Sequence, residues 1–266
     1  MPSGTPNATL LFYPRLALSV LGFFAASAHG VGLALVRRDR SRVAYDTAQM
    51  LMRLMRRPLG IRTRVLGREN MDARRPCIYL SNHQSAYDIP VLAELFPPDT
   101  VVIGKRELSN IPLFGWVFSA TGNILIDRKN NPTAVGQMRD VEEAIRVRGV
   151  SVWMFPEGTR GRVPGKLLPF KKGAFYMAVA TGVPVVPIVV EPLQPYFDPK
   201  RRHLKSGELE VRVLEPVEPG DQGEKAVTEL IETVQSRMQD TLSEMAERQR
   251  RELGTPSATA ESRRIL

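Results

Sequence analysis

Hydrophobic positions change period along the chain, and the changes mark out its elements. Residues 16–36, LALSVLGFFAASAHGVGLALV, are apolar apart from His29 and a few small polar residues, a run long enough to cross a bilayer core. The next stretch, VAYDTAQMLMRLMRR, repeats Val43, Thr47, Met50, Leu51 and Leu54 at helical spacing and carries Arg53, Arg56 and Arg57 near its end. This predicts an amphipathic helix. Pro58 and Gly60 close an N-terminal helical module, residues 1–60, expected to associate with a membrane. Beyond it the pattern alternates. Strands are predicted over 61–66, 77–80, 101–103, 124–126, 151–155, 185–190 and 209–214, with helices over 89–95, 135–148, 173–181 and 224–253. Such alternation predicts an α/β domain over 61–253, built on a mostly parallel sheet flanked by helices. Residues 254–266 lack apolar periodicity and are expected to form a disordered tail.

With 266 residues, one catalytic core with appended terminal segments is the economical arrangement. Apolar content of 43% and charged content of 24% exclude a mainly disordered or fibrous chain. Lys plus Arg exceed Asp plus Glu by 37 to 28, which favours anionic partners: nucleic acid, acidic lipid headgroups or phosphorylated substrates. Aromatic-basic interleaving and nucleic-acid motifs are missing, so a nucleic acid is not expected. A single cysteine, Cys77, excludes an intrachain disulfide, and the adjoining Ile78-Tyr79-Leu80 predicts a buried strand position for it. His29, His83 and His203 lack ligand-like spacing, and no metal is expected. The first apolar run is long for a signal peptide, and only Arg15 precedes it while Arg37, Arg38, Arg40 and Arg42 follow. Those arginines predict a cytoplasmic position for the bulk of the chain. A spanning helix, an interfacial helical hairpin and a buried core helix all fit the run.

Candidate chemistry collects where predicted strands end. The second strand runs into Ser81-Asn82-His83-Gln84-Ser85-Ala86-Tyr87-Asp88, the third into Lys105, the fourth into Asp127-Arg128 and the fifth into Pro156-Glu157-Gly158-Thr159-Arg160. In open α/β sheets the ligand crevice lies outside the carboxyl ends of the strands, so these segments nominate one site. In a continuous helix His83 and Asp88 would lie about 140° apart, so they meet only if the chain turns between them. A carboxylate on Nδ1 would fix the tautomer of His83 and leave Nε2 as a general base. The alternative is a loop histidine with Asp88 as a helix N-cap. Ser85 has no nucleophile elbow around it and fits a turn. Lys105, Arg128 and Arg160 are the candidate anion pocket, with amides near Gly158 as further donors. Glu157 is expected to pair with Arg160 or to hydrogen-bond a substrate hydroxyl.

Asn82-His83-Gln-Ser-Ala-Tyr-Asp88 resembles the HX4D block of the glycerophospholipid acyltransferases. The resemblance continues in order through Gly104-Lys105-Arg-Glu107-Leu108 with Ile111-Pro112-Leu-Phe114-Gly115, Gly122-Asn-Ile-Leu-Ile-Asp127-Arg128, Phe155-Pro-Glu157-Gly158-Thr159-Arg160 and Val183-Pro184-Val-Val-Pro187. It covers about residues 81–187 and is most like the bacterial lysophosphatidate enzymes, with Asn123 and Leu125 departing from the usual pattern. The resemblance implies that His83, oriented by Asp88, deprotonates the sn-2 hydroxyl of a lysophospholipid. That oxygen would attack an acyl thioester on coenzyme A or acyl carrier protein, with no further cofactor. It implies that Lys105, Arg128 and Arg160 hold the acceptor phosphate, that Glu157, Gly158 and Thr159 contact substrate, and that the Gly158 amide faces the oxyanion. It further implies that 183–187 line the acyl groove, and that the enzyme works on the cytoplasmic side of the inner membrane among membrane lipids. Glycerol-3-phosphate, another lysophospholipid or a lyso-aminolipid are alternative acceptors, and a catalytically silent membrane-binding protein is the alternative of another class.

Overall fold

The computed structural model describes residues 11–127, 131–161, 163–221 and 223–254. Arg128 and, beyond Gly254, the predicted tail lie outside them. Seven strands form one sheet: β1 (Ile61–Leu66), β2 (Ile78–Ser81), β3 (Thr100–Lys105), β4 (Ile124–Ile126), β5 (Ser151–Met154), β6 (Val185–Val190) and β9 (Gly207–Val213). Their order is β1-β9-β6-β2-β5-β3-β4. The five strands from β6 to β4 are parallel, whereas β9 runs antiparallel to β6 and carries β1 parallel to itself. The carboxyl ends of β2, β3 and β5 therefore open on the same edge. β2 and β6 are buried at every position, as unbroken apolar strands covered on both faces should be. Cys77, just before β2, is fully buried, and burial raises its thiol pKa.

One face of the sheet packs on α5 (Asn131–Arg148), α6 (Gly173–Thr181) and α7 (Glu224–Leu253) through residues such as Ile145, Phe175, Val234 and Met238. The other face carries α1 (Phe12–Val36), α2 (Arg40–Leu59) and α3 (Asp88–Leu92). There Phe12, Ala26, Leu51, Met55 and Leu59 share one apolar cluster with Tyr79, Trp153 and Ile188 of the sheet. Each of the buried Phe, Leu, Met and Ile side chains among them contributes about 1.5–3 kcal/mol. Packing is thus continuous across residue 60, where Gly60 ends α2 in the left-handed conformation (φ 66°).

The pattern of positions underestimated two parts. Residues 114–120 fall between predicted strands with no helix expected, yet α4 (Phe114–Ala120) forms there and packs against α1 through Phe114 on Phe23. A two-stranded hairpin, β7 (Phe197–Asp198) and β8 (His203–Leu204), is too short for any period to register.

A stripe of small residues, Gly22, Ala26, Gly30 and Ala34, is buried on α1 at four-residue spacing and lets α2 approach closely. A Cβ on Gly30 would stand 2.5 Å from Thr47 Oγ1 and 2.7 Å from Val117 Cγ2. Gly30→Val is expected to lower stability by about 1–3 kcal/mol, the usual effect of overpacking, as read by the urea midpoint. Unchanged stability would mean that α1 is not docked on α2 and α4.

Candidate active site

The loop leaving β2 is anchored before it reaches His83. The Asn82 side chain imitates a backbone unit: Nδ2 donates to Val190 O at 2.9 Å, and Oδ1 accepts from Val190 N at 2.8 Å. Gln84 Nε2 adds bonds to the carbonyls of Val190 and Glu191 at 3.0 and 3.1 Å. Between these two anchors His83 is held on its backbone from both sides. Its amide donates to Glu157 Oε1 at 2.8 Å, and its carbonyl accepts from Gly161 N at 2.8 Å. Neither anchoring role is legible from the residues around Asn82 and Gln84, because Val190 lies more than 100 positions away.

Asp88 opens α3 but turns its carboxylate back over the loop. Its Oδ2 lies 2.7 Å from His83 Nδ1 and accepts the amides of Gln84 and Ser85 at 2.7 and 2.9 Å. Two backbone amides donate to this oxygen, which therefore acts as an acceptor, and its contact with the ring assigns the His83 proton to Nδ1. Nε2 is then the lone-pair nitrogen, at the opposite ring edge. The imidazole also stacks on Phe155, with centroids 4.1 Å apart and planes 18° from parallel. Asp88 therefore ties the loop and contacts the histidine, but it is not the helix N-cap that the alternative expected: that position is Tyr87, and no side chain caps the helix. Ser85 Oγ accepts from Tyr87 N at 3.2 Å, the turn role expected of it.

His83 lines a cavity of about 1120 Å³. Lys105, Gly158, Thr159 and Arg160 border it from the ends of β3 and β5. Lys105 and Arg160 are exposed and carry no ion pair among the described residues. Apolar walls come from Ala44, Ala48 and Leu51 of α2, from Leu92 and Phe96, and from Phe114, Val117 and Phe118 of α4. Of the α2 residues on this wall only Thr47 and Leu51 belong to the stripe read from the sequence, and Ala44 and Ala48 do not.

Three expected roles change. Glu157 does not border the cavity: while Oε1 holds His83, Oε2 accepts Leu168 N at 2.9 Å, so its carboxylate is a brace behind the base. The Gly158 amide, expected to face an oxyanion, is engaged with Phe155 O at 3.2 Å, closing a turn at φ 71°. Val185 to Pro187 lie in the central strand β6 and are absent from the cavity wall, because the sheet core needs their apolar surface.

Burial raises the Glu157 carboxyl pKa, opposed by the two amides it accepts. The folded state then holds this proton more tightly than the unfolded chain, so the group's contribution to stability falls as pH rises from 4.5 through the raised value. Glu157→Gln should flatten that part of the stability profile. It also sets an NH2 against one of two amide donors, shifting His83, and should lower kcat by about tenfold or more with little change in acceptor KM. A rise in acceptor KM alone would assign Glu157 to substrate contact instead.

Residues 62–191 match the model of the Acyltransferase family. The chain is 32% identical to the 1-acyl-sn-glycerol-3-phosphate acyltransferase of Saccharomyces cerevisiae over 88% of its own length and 78% of the relative's. The chain belongs to the acyltransferase family. Another member, the Escherichia coli 1-acyl-sn-glycerol-3-phosphate acyltransferase, is 40% identical over 63% of this chain and 67% of its own. The acyltransferase fold extends into the N-terminal helices. The crystal structure of the 1-acyl-sn-glycerophosphate acyltransferase PlsC from Thermotoga maritima superposes with a TM-score of 0.65 at 28% identity, covering 88% of this chain and 94% of that one.

Proposed function

We propose that this acyltransferase moves a fatty acyl group from the thioester of coenzyme A or acyl carrier protein to the sn-2 hydroxyl of 1-acylglycerol-3-phosphate, giving phosphatidic acid. One observation carries the proposal. The cavity that holds His83 combines two cations without an ion pair among the described residues, Lys105 and Arg160, with apolar walls from α2 and α4, a match for an acceptor with a phosphate and a hydrocarbon chain. The relatives' names support the same acceptor.

In this scheme Nε2 of His83 takes the sn-2 hydroxyl proton as the oxygen attacks the thioester carbonyl. Asp88 stabilises the imidazolium that forms. The tetrahedral intermediate collapses as the C–S bond breaks, and the imidazolium returns the proton to the leaving thiolate. No acyl-enzyme is formed. Lys105 and Arg160 grip the acceptor phosphate, with Arg128 assisting and Thr159 beside them.

A membrane position is supported by α1, which is long and apolar enough to cross a bilayer and exposes Leu18, Val20, Leu21 and Leu35. We assign it to one leaflet, in plane, on the cytoplasmic face of the cell membrane. In support, Arg15 near its start donates to the carbonyls of Pro58, Leu59 and Leu204, while the carbonyl of Ala34 near its end accepts from Arg40. Both ends are thereby tied to the same body, whereas a span would carry Arg15 to the other side. Purified protein given labelled acyl thioesters and a panel of acceptors should make phosphatidic acid from lysophosphatidate. Preferential turnover of glycerol-3-phosphate or of an acceptor without phosphate would reject this assignment.

A further inference from the structure

Helix α4 has two apolar faces with different destinations. Phe114, Val117 and Phe118 line the substrate cavity, whereas Pro112, Leu113 and Trp116 point away from it and are exposed, Leu113 by 43% and Trp116 by 49%. A seven-residue helix that, with its N-cap Leu113, shows a tryptophan and a leucine to water gains no stability from them. The chain nevertheless holds Leu113 outward at a cost. Its φ of 60° and ψ of −50°, with Phe114 N bonded to Pro112 O at 2.6 Å, make a γ-turn that non-glycine residues rarely adopt. The turn is supported from behind, because a Cβ on Gly115 would stand 2.2 Å from Ser109 O, and Gly115 N donates to Ile111 O at 2.8 Å. Strain that the surroundings over-determine tends to mark positions that meet a ligand.

The neighbour of this patch identifies the ligand. α4 lies along α1, with Phe114 on Phe23 at 5.0 Å and Val117 against Gly30. Its exposed side chains therefore extend the apolar surface that α1 presents. Tryptophan at the edge of such a surface, with an apolar ring and a polar N–H, fits the boundary between lipid headgroups and acyl chains.

We propose that Pro112, Leu113 and Trp116 are seated in a lipid leaflet beside α1, making α4 the membrane-side wall of the substrate cavity and the side from which a lipid acceptor reaches His83. This rests on the in-plane assignment of α1 made above. The partner is the bilayer itself, and α4 has the cavity on one face and lipid on the other.

The native protein contains two tryptophans, Trp116 and the buried Trp153, which makes the position measurable. Full-length protein is mixed with vesicles whose acyl chains carry bromine, and tryptophan emission is recorded for the wild type and for Trp116→Phe. Quenching in the wild type that is lost in Trp116→Phe is the expected result. Equal quenching in both proteins, or vesicle binding without quenching, overturns the proposal while leaving α1 in the leaflet; protein that does not bind vesicles overturns both. A second arm reads function. In the double variant Leu113→Ser, Trp116→Ser, kcat/KM for an acceptor embedded in vesicles should fall about tenfold or more, while turnover of a short-chain, monomerically dispersed acceptor is unchanged. An equal fall for both acceptors, or for neither, counts against lipid contact, and capture of acyl carrier protein by this face in place of vesicles would reassign it to the donor.

Discussion

Replacing His83 by alanine is expected to slow acyl transfer by about a hundred- to ten-thousandfold, the range that a positioned general base supplies. The fold should survive. The ring is partly exposed, and the Asp88 oxygen that loses it keeps the amides of Gln84 and Ser85. Asn82 and Gln84 hold the loop without any help from the imidazole. Asp88→Asn should fall by a comparable factor for a different reason. An asparagine oxygen still accepts the two loop amides, but the imidazolium formed during proton transfer loses its counter-charge. Measured with labelled acyl thioester, each variant should show the loss in kcat, with vesicle binding retained. Wild-type turnover in His83→Ala would end the general-base proposal.

The second large effect is expected at Arg160. Removing a charge-assisted grip on phosphate costs about 1.5–3 kcal/mol, which corresponds to roughly a ten- to hundredfold rise in apparent KM for the acceptor. Arg160 is exposed and unpaired among the described residues, so Arg160→Ala should leave stability unchanged. The thioester KM should stay close to the wild-type value. Lys105→Ala should act in the same direction but less steeply, since a lysine offers a point charge where arginine offers a bidentate fork. Equal changes for both substrates would argue that Arg160 meets the donor, or that its loss disturbs the loop.

The contrast between these variants and Glu157→Gln follows from how the site is assembled. His83 and Arg160 face the cavity, so their replacement removes a function directly. Glu157 stands one layer behind, joining the His83 loop to Leu168 through two backbone amides. Its effect on rate runs through the position of the base.

Much of this was legible in the amino-acid pattern, for a local reason. Strand and helix periods depend on neighbours a few residues apart, so all seven strands of the sheet and the helices α5, α6 and α7 could be read within a few residues of their bounds. The polar clusters at the ends of β2, β3 and β5 could be assigned to one crevice because parallel strands bring their carboxyl ends to the same edge. The motif around His83 and Asp88 identified the pair, and the turn between them was required by the helical angle alone.

What stayed hidden depends on contacts between residues far apart in the chain. Glu157 was expected to pair with the nearby Arg160 or to meet substrate, whereas its carboxylate is held by the amides of Leu168 and of His83, 74 positions away. Val185 to Pro187 looked like groove residues, yet an apolar strand at the centre of a sheet is covered on both faces. The cavity walls came from Ala44, Ala48 and Leu51, whose helix was legible while its packing partner was not. For α1, length and hydropathy fit a bilayer span equally well as a docked helix. The Arg15 bonds to Pro58, Leu59 and Leu204 favour the docked helix of the proposal, because one guanidinium satisfies carbonyls from distant segments only when the fold has gathered them. Local periodicity thus specified the elements and the chemistry they carry, while side-chain orientation, burial and long-range hydrogen bonding assigned each residue its task.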